Sequence, residues 1–158
     1  EVSYAHQHIQ FFEGDRQLLA QSPAGREKLA LHLMLLIGRN FYHGIDPMSV
    51  TELANHLRLP GGVVKEFLDM FVQTKLVLAL AEEDKFVLGR DPEMISVKEI
   101  LDCVRNAGKK IKIPTERTKE ENEVNDLLAD LENSAAKSLQ GRNLQALILS
   151  VMPANERR

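Results

Sequence analysis

Five histidines and one cysteine are the side chains of this 158-residue chain best suited to hold a metal or attack a substrate. His6 and His8 stand two apart, while His32, His43, His56 and Cys103 are scattered. Zinc sites use tighter sets, such as paired cysteines two residues apart or histidines spaced by three to five. Residues two apart on a helix do not share a face. Cys103 sits in an apolar stretch with no His or Asn near it in sequence, which suits a buried thiol better than a nucleophile. Glu82, Glu83 and Asp84 cluster where the pattern places a loop tip, and solvated charge is the ordinary role there. Pro60-Gly61-Gly62 neither follows a strand nor precedes Lys-Ser or Lys-Thr, so it is not a phosphate loop. The expectation is a chain with no catalytic residues, no metal ligands and no cofactor.

The elements that would position any site are easier to read. Val2, Ala5, Ile9 and Phe12 recur at helical spacing within residues 1–20, and Gly14-Asp15 interrupts them. Ser22 can cap a second helix with Pro23 at its first position. That helix has a wide apolar face of Leu29, Leu33, Leu36 and Ile37, and Gly44 ends it. After Asp46-Pro47, Ser49 to Glu52 forms a capping box with Met48 and Leu53 as its hydrophobic staple. A helix carrying Leu53, Ala54 and Leu57 inward follows. The Pro-Gly-Gly turn leads into a third helix from about Val63 to Lys75, burying Val64, Phe67, Leu68 and Phe71. Leu76–Leu80 and Phe86–Leu88 flank the acidic tip as a short hairpin. Ser96 to Glu99 caps another helix, with Ile95 and Ile100 as the staple.

This order predicts a mainly α fold with a small β-hairpin, a winged helix-turn-helix with an N-terminal helix and a C-terminal helical extension. The boundaries fall at 1–20 for the first helix, 21–108 for the winged helix, 109–120 for a polar, Pro-broken linker and 121–158 for the extension. Val124, Leu127, Leu128, Leu131, Ala135 and Leu139 make an apolar stripe in that extension, and Leu144, Leu147, Ile148 and Val151 continue beyond Gly141. Two readings of the stripe stay open: it folds back on the domain, or it meets a partner or its own copy.

A recognition helix needs donors on its first turns, because they read base edges in the major groove. The third helix offers Lys65, balanced by Glu66 and Asp69, and no Arg, Asn or Gln on its first two turns. The wing tip carries Glu82, Glu83 and Asp84 where phosphates would repel them. The net charge is −3, without the basic excess of most nucleic-acid binders. These counts argue against sequence-specific DNA as a partner. The candidate interaction surface is instead Lys65, Glu66, Asp69, Glu82, Glu83 and Asp84, with Leu127, Leu131 and Leu147 for a protein partner or self-association. The single cysteine fits a reducing compartment. No run reaches the roughly 20 apolar residues of a membrane span. A start at Glu1 without Met fits a processed product or an excised fragment.

Two stretches carry a resemblance. "EVSYAHQHIQFF" (1–12) is similar to the segment after the last transmembrane helix of the YihY/BrkB-like bacterial inner-membrane proteins, once labelled ribonuclease BN. "FVLGRDPEMISVKEILDCVR" (86–105) resembles the end of the winged-helix tail of that family's longer members. The resemblance spans roughly residues 1–108. It implies a cytoplasmic interaction or regulatory tail, attached to the inner membrane through an N-terminal transmembrane region outside this chain. It brings no established reaction and no functional residues. "LGRDPEMISVKEIL" also resembles the segment after the wing in iron–sulfur-sensing winged-helix repressors. Those have a basic recognition helix, a Gly-rich wing and clustered cysteines, none of which is present here. Lys75 stands where many winged helices place Gly. The alternatives to the tail are a soluble dimeric DNA-binding regulator and an RNA-processing nuclease.

Overall fold

The computed structural model describes residues 21–81, 84–107 and 118–153. The expected helix over residues 1–20 lies outside that range. Helix α1 (Pro23–Tyr42) starts as the sequence predicts: the Ser22 side chain accepts from the Gly25 N–H at 3.0 Å, and Pro23 occupies the first turn. Its buried residues, Leu29, Ala30, Leu33, Met34, Leu36 and Ile37, together with half-buried Leu31 and Leu35, cover well over half its circumference. Gly44, with φ of +62°, takes the left-handed conformation just past its end.

Strand β1 (Met48–Ser49) runs into helix α2 (Val50–Leu57). The capping box is complete. The Ser49 backbone N–H donates to Glu52 at 2.8 Å, and the Glu52 N–H donates to the Ser49 hydroxyl at 3.3 Å. The Ser49 backbone bond first, and its hydroxyl second, hold the Glu52 carboxyl below the usual carboxylate range. Helix α3 (Gly61–Gln73) begins at the two glycines, earlier than the apolar pattern suggests, and buries Val64, Phe67, Leu68 and Phe71.

The sheet has three strands where the sequence shows two. β2 (Val77–Leu80) and β3 (Lys85–Leu88) form the hairpin, and β1 pairs antiparallel with β3 through Met48–Phe86 and Ser49–Lys85, giving the order β1-β3-β2. Lys75 enters the hairpin with φ of +59°, the left-handed geometry that Gly adopts most readily. Gly89 leaves it, its N–H donating to the Leu76 carbonyl at 2.9 Å.

A 3-10 turn (Pro92–Met94) leads to helix α4 (Val97–Asn106), capped by Ser96. Glu99 does not return the bond of a capping box there; its carboxylate pairs with Arg90. α4 packs on α1, and Arg105 donates to Glu27 at 2.7 Å. Helix α5 (Lys119–Ser138) has no buried residue at all. Val124, Leu127, Leu128 and Leu131 are each more than half exposed, so the reading in which this stripe folds back is not realised in the monomer. Helix α6 (Leu144–Val151) behaves oppositely. Leu144 and Ile148 are fully buried, and the Leu144 N–H donates to the Ile95 carbonyl at 2.8 Å.

Two glycines set how closely these pieces approach. A Cβ at Gly89 would lie 2.3 Å from the Lys75 carbonyl oxygen, a backbone atom that cannot step aside. A Cβ at Gly38 would lie 2.9 Å from Ile148 Cδ1, the free end of a flexible side chain. Gly89→Ala is therefore expected to cost about 1–3 kcal/mol through overpacking. Gly38→Ala is expected to be milder, since Ala gains about 1 kcal/mol over Gly inside a helix. Urea unfolding of both variants checks the ranking; equal losses would refute it.

Candidate nucleic-acid interface

Helix α2 stops at Arg58, which has φ of +54° and donates its N–H to the Asn55 carbonyl. The chain turns through Leu59 and Pro60 and starts α3 with no side-chain cap. Burial of Val64, Phe67, Leu68 and Phe71 turns the opposite face of α3 outward, leaving Gly61, Gly62, Lys65, Glu66 and Asp69 exposed. The first turn of a helix holds amide N–H groups without helical partners and the positive end of its dipole, both suited to phosphate.

The charges on that face are matched locally. Lys65 pairs with Asp69 one turn away. Arg26 of α1 donates to Glu66 at 2.9 Å, and its guanidinium lies 4.9 Å from the centre of the Phe67 ring. These pairs are part-exposed, so each contributes only about 0–1 kcal/mol to stability. Their effect on the field is larger than that figure suggests, because each carboxylate is partly neutralised where it stands. Lys65 also lies 5.7 Å from the Phe86 ring centre, next to strand β3 of the wing. Asp84 is exposed near the wing tip with φ of +48°. Glu82 and Glu83 fall outside the described residues. Leu127 and Leu131 share the open face of α5, whereas Leu147 is half-buried on α6. Sequence reasoning missed Arg26: its partner is forty residues away, and no local signal links them.

Cys103 is buried, with its sulfur 3.5 Å from the Thr74 hydroxyl and 3.6 Å from the Met70 carbonyl oxygen. Burial pushes its pKa up, and the Thr74 contact offsets part of that rise. An iron–sulfur cluster needs several thiolates. One buried cysteine does not fit it. Among the described residues no group of three His, Cys, Asp or Glu side chains could hold a metal ion.

No protein-family profile matches the chain, and no curated protein matches it. Solved structures do. The global cysteine regulator CymR of B. subtilis matches at 19% identity and a TM-score of 0.58, over 80% of this chain and 94% of that one. IscR of T. potens matches at 14% identity and a TM-score of 0.60, over 84% of this chain and 89% of that one. The oxidized form of S. aureus CymR matches at 14% identity and a TM-score of 0.60, over 81% of this chain and 96% of that one. At these identities the likeness establishes the fold. Residues 21–107 make up only a little over half of the chain, so a match over 84% of it extends into the C-terminal helices.

These matches overturn the resemblance to the YihY/BrkB inner-membrane family, and with it the membrane-tail function, the ribonuclease label and the inner-membrane location. The segment that gave the resemblance its specificity, Glu1–His8, lies outside the described residues, and its other part was the winged helix common to many proteins. Among the described residues no helix is long and apolar enough to cross a membrane. The argument against DNA as a partner is corrected as well. It set both Glu66 and Asp69 against Lys65, whereas Glu66 pairs with Arg26 of α1, and solved regulators such as CymR share this fold.

A raised thiol pKa leaves little thiolate near neutral pH. Cys103 in the folded protein is expected to react with iodoacetamide at pH 8 at least about tenfold more slowly than in urea. Equal rates, followed by mass spectrometry, would contradict the burial described here.

Proposed function

We propose that the chain is a winged-helix, DNA-binding transcription regulator, not an enzyme, that acts as a homodimer. The observation that carries this reading is the exposed N-terminal half of α3, presented by a helix-turn-helix and bordered by the β2–β3 wing. In such folds this helix enters the major groove. CymR is described as a global cysteine regulator, and its shape is shared here at low identity. Gly61 and Gly62 let the backbone approach phosphate closely. The surface of Lys65, Glu66 and Asp69 then reads base edges or shape, rather than supplying bulk electrostatic attraction.

Helix α5 supports the dimer. Val124, Leu127, Leu128 and Leu131 follow the i, i+3, i+4, i+7 pattern on a helix with no buried residue. A second copy of α5 is the self-complementary cover for such a stripe. Two protomers present two α3 helices, which fit half-sites about 34–36 Å apart on one face of the duplex.

Selection from a random duplex library at low salt, followed by gel shift, tests the proposal. An inverted-repeat sequence should emerge. Its affinity should fall only gently with salt, because few unpaired cations are available to release counterions. No enriched sequence at low salt would overturn the reading. For the dimer, Leu127→Glu with Leu131→Glu should yield a folded monomer in sedimentation and weaken DNA binding by more than about tenfold, since one half-site is lost. A double variant that remains dimeric would remove α5 from the interface.

A further inference from the structure

Helix α1 carries a second stripe about a quarter-turn from the α6 contact at Gly38. Lys28, His32, Leu35 and Arg39 recur every three or four residues along it, so they share one edge of the helix. His56 and Leu57 near the end of α2, with Leu59 of the turn, stand across from that stripe. A cavity of about 420 Å³ lies between them, with Val151 of α6 also on its wall. Small-molecule sites commonly span about 300–1,000 Å³.

The lining has two chemistries and lacks a third. Leu29, Leu35, Leu36, Leu57 and Leu59 give an apolar surface of buried and half-buried side chains. Lys28, His32, Arg39 and His56 are exposed and supply basic groups. Among the described residues no carboxylate lines the cavity. Among the described residues, neither Lys28 nor Arg39 has an ion-pair partner, whereas Arg26, Lys65, Arg90, Lys98 and Arg105 each have one. An apolar trough edged by unmatched cations is complementary to a molecule with an apolar body and an anionic head. Burying the body removes apolar surface from water. The head gains charge-assisted hydrogen bonds that a neutral or cationic analogue cannot make.

We infer that the groove between α1 and the end of α2 is a binding site for a small amphipathic carboxylate, its head held at one end of the groove by Lys28 or Arg39, which stand about 16 Å apart along α1. Equilibrium dialysis of the full chain against labelled decanoate, below its micelle-forming concentration, tests this. Decyltrimethylammonium serves as the competitor of opposite charge. Saturable one-to-one binding is expected, resisted by the competitor and weakened roughly tenfold or more in Lys28→Gln with Arg39→Gln, the loss typical of a hydrogen bond to a charged group. Both residues are exposed, so the variant keeps the fold, and circular dichroism confirms that. Absence of saturable binding overturns the inference. So does equal competition by the cationic amphiphile, or unchanged affinity in the double variant, either of which marks the groove as a greasy surface covered by chain or by a second copy. The measurement involves no DNA, so its failure and the failure of the regulator reading are separate events.

Discussion

The burial of α1 is the constraint on which the rest of the molecule depends. A helix with apolar residues over most of its circumference cannot be satisfied by one neighbour. It needs α4, α6 and strand β3 of the sheet, all packed against it. Leu33, Met34 and Ala30 are wholly inaccessible as a result. The helix-turn-helix therefore does not float on its own small core; it is fixed to a rod at the centre of the fold. Arg26 extends this arrangement to the surface, because one guanidinium stacks on Phe67 and pairs with Glu66 of α3.

Charge tells a similar story at the surface. A net charge of −3 suggests poor affinity for a polyanion. Net charge averages over the whole chain, however, and binding responds to the field over one face. On α3 the two carboxylates are drawn sideways into pairs, and one of those cations comes from a different helix. The sum stays the same while its distribution changes, and a distribution set by tertiary contacts cannot be counted from composition.

Local signals were legible and non-local ones were not. Ser22-Pro23 and the Ser49–Glu52 box encode their own geometry within four residues, so both helix starts match the structure. Lys75 at a position that favours Gly was visible too, and it does take positive φ. The strand Met48–Ser49 has two residues and no periodicity; it exists because Phe86 and Lys85 lie beside it. The α5 stripe could be read as apolar, but a single sequence contains nothing that says whether a stripe is covered. The candidate groove was hidden for a further reason. Lys28, His32 and Arg39 look like ordinary solvent-facing residues until α2 is placed opposite them. The family resemblance failed where its specificity was concentrated, in the Glu1–His8 stretch, which lies outside the described residues.

Gly38 has a consequence for how the chain comes into being. By leaving room for Leu144 and Ile148, it makes α6 part of the innermost packing. During synthesis, α1 emerges before α6 and then waits through about a hundred residues for the piece that covers it. A polypeptide cut short anywhere before Leu144 keeps an uncovered apolar strip along α1, the kind of surface that proteases and chaperones recognise. Helix α6 thus acts as a seal on α1, and the penalty for closing so long a loop grows only logarithmically with its length.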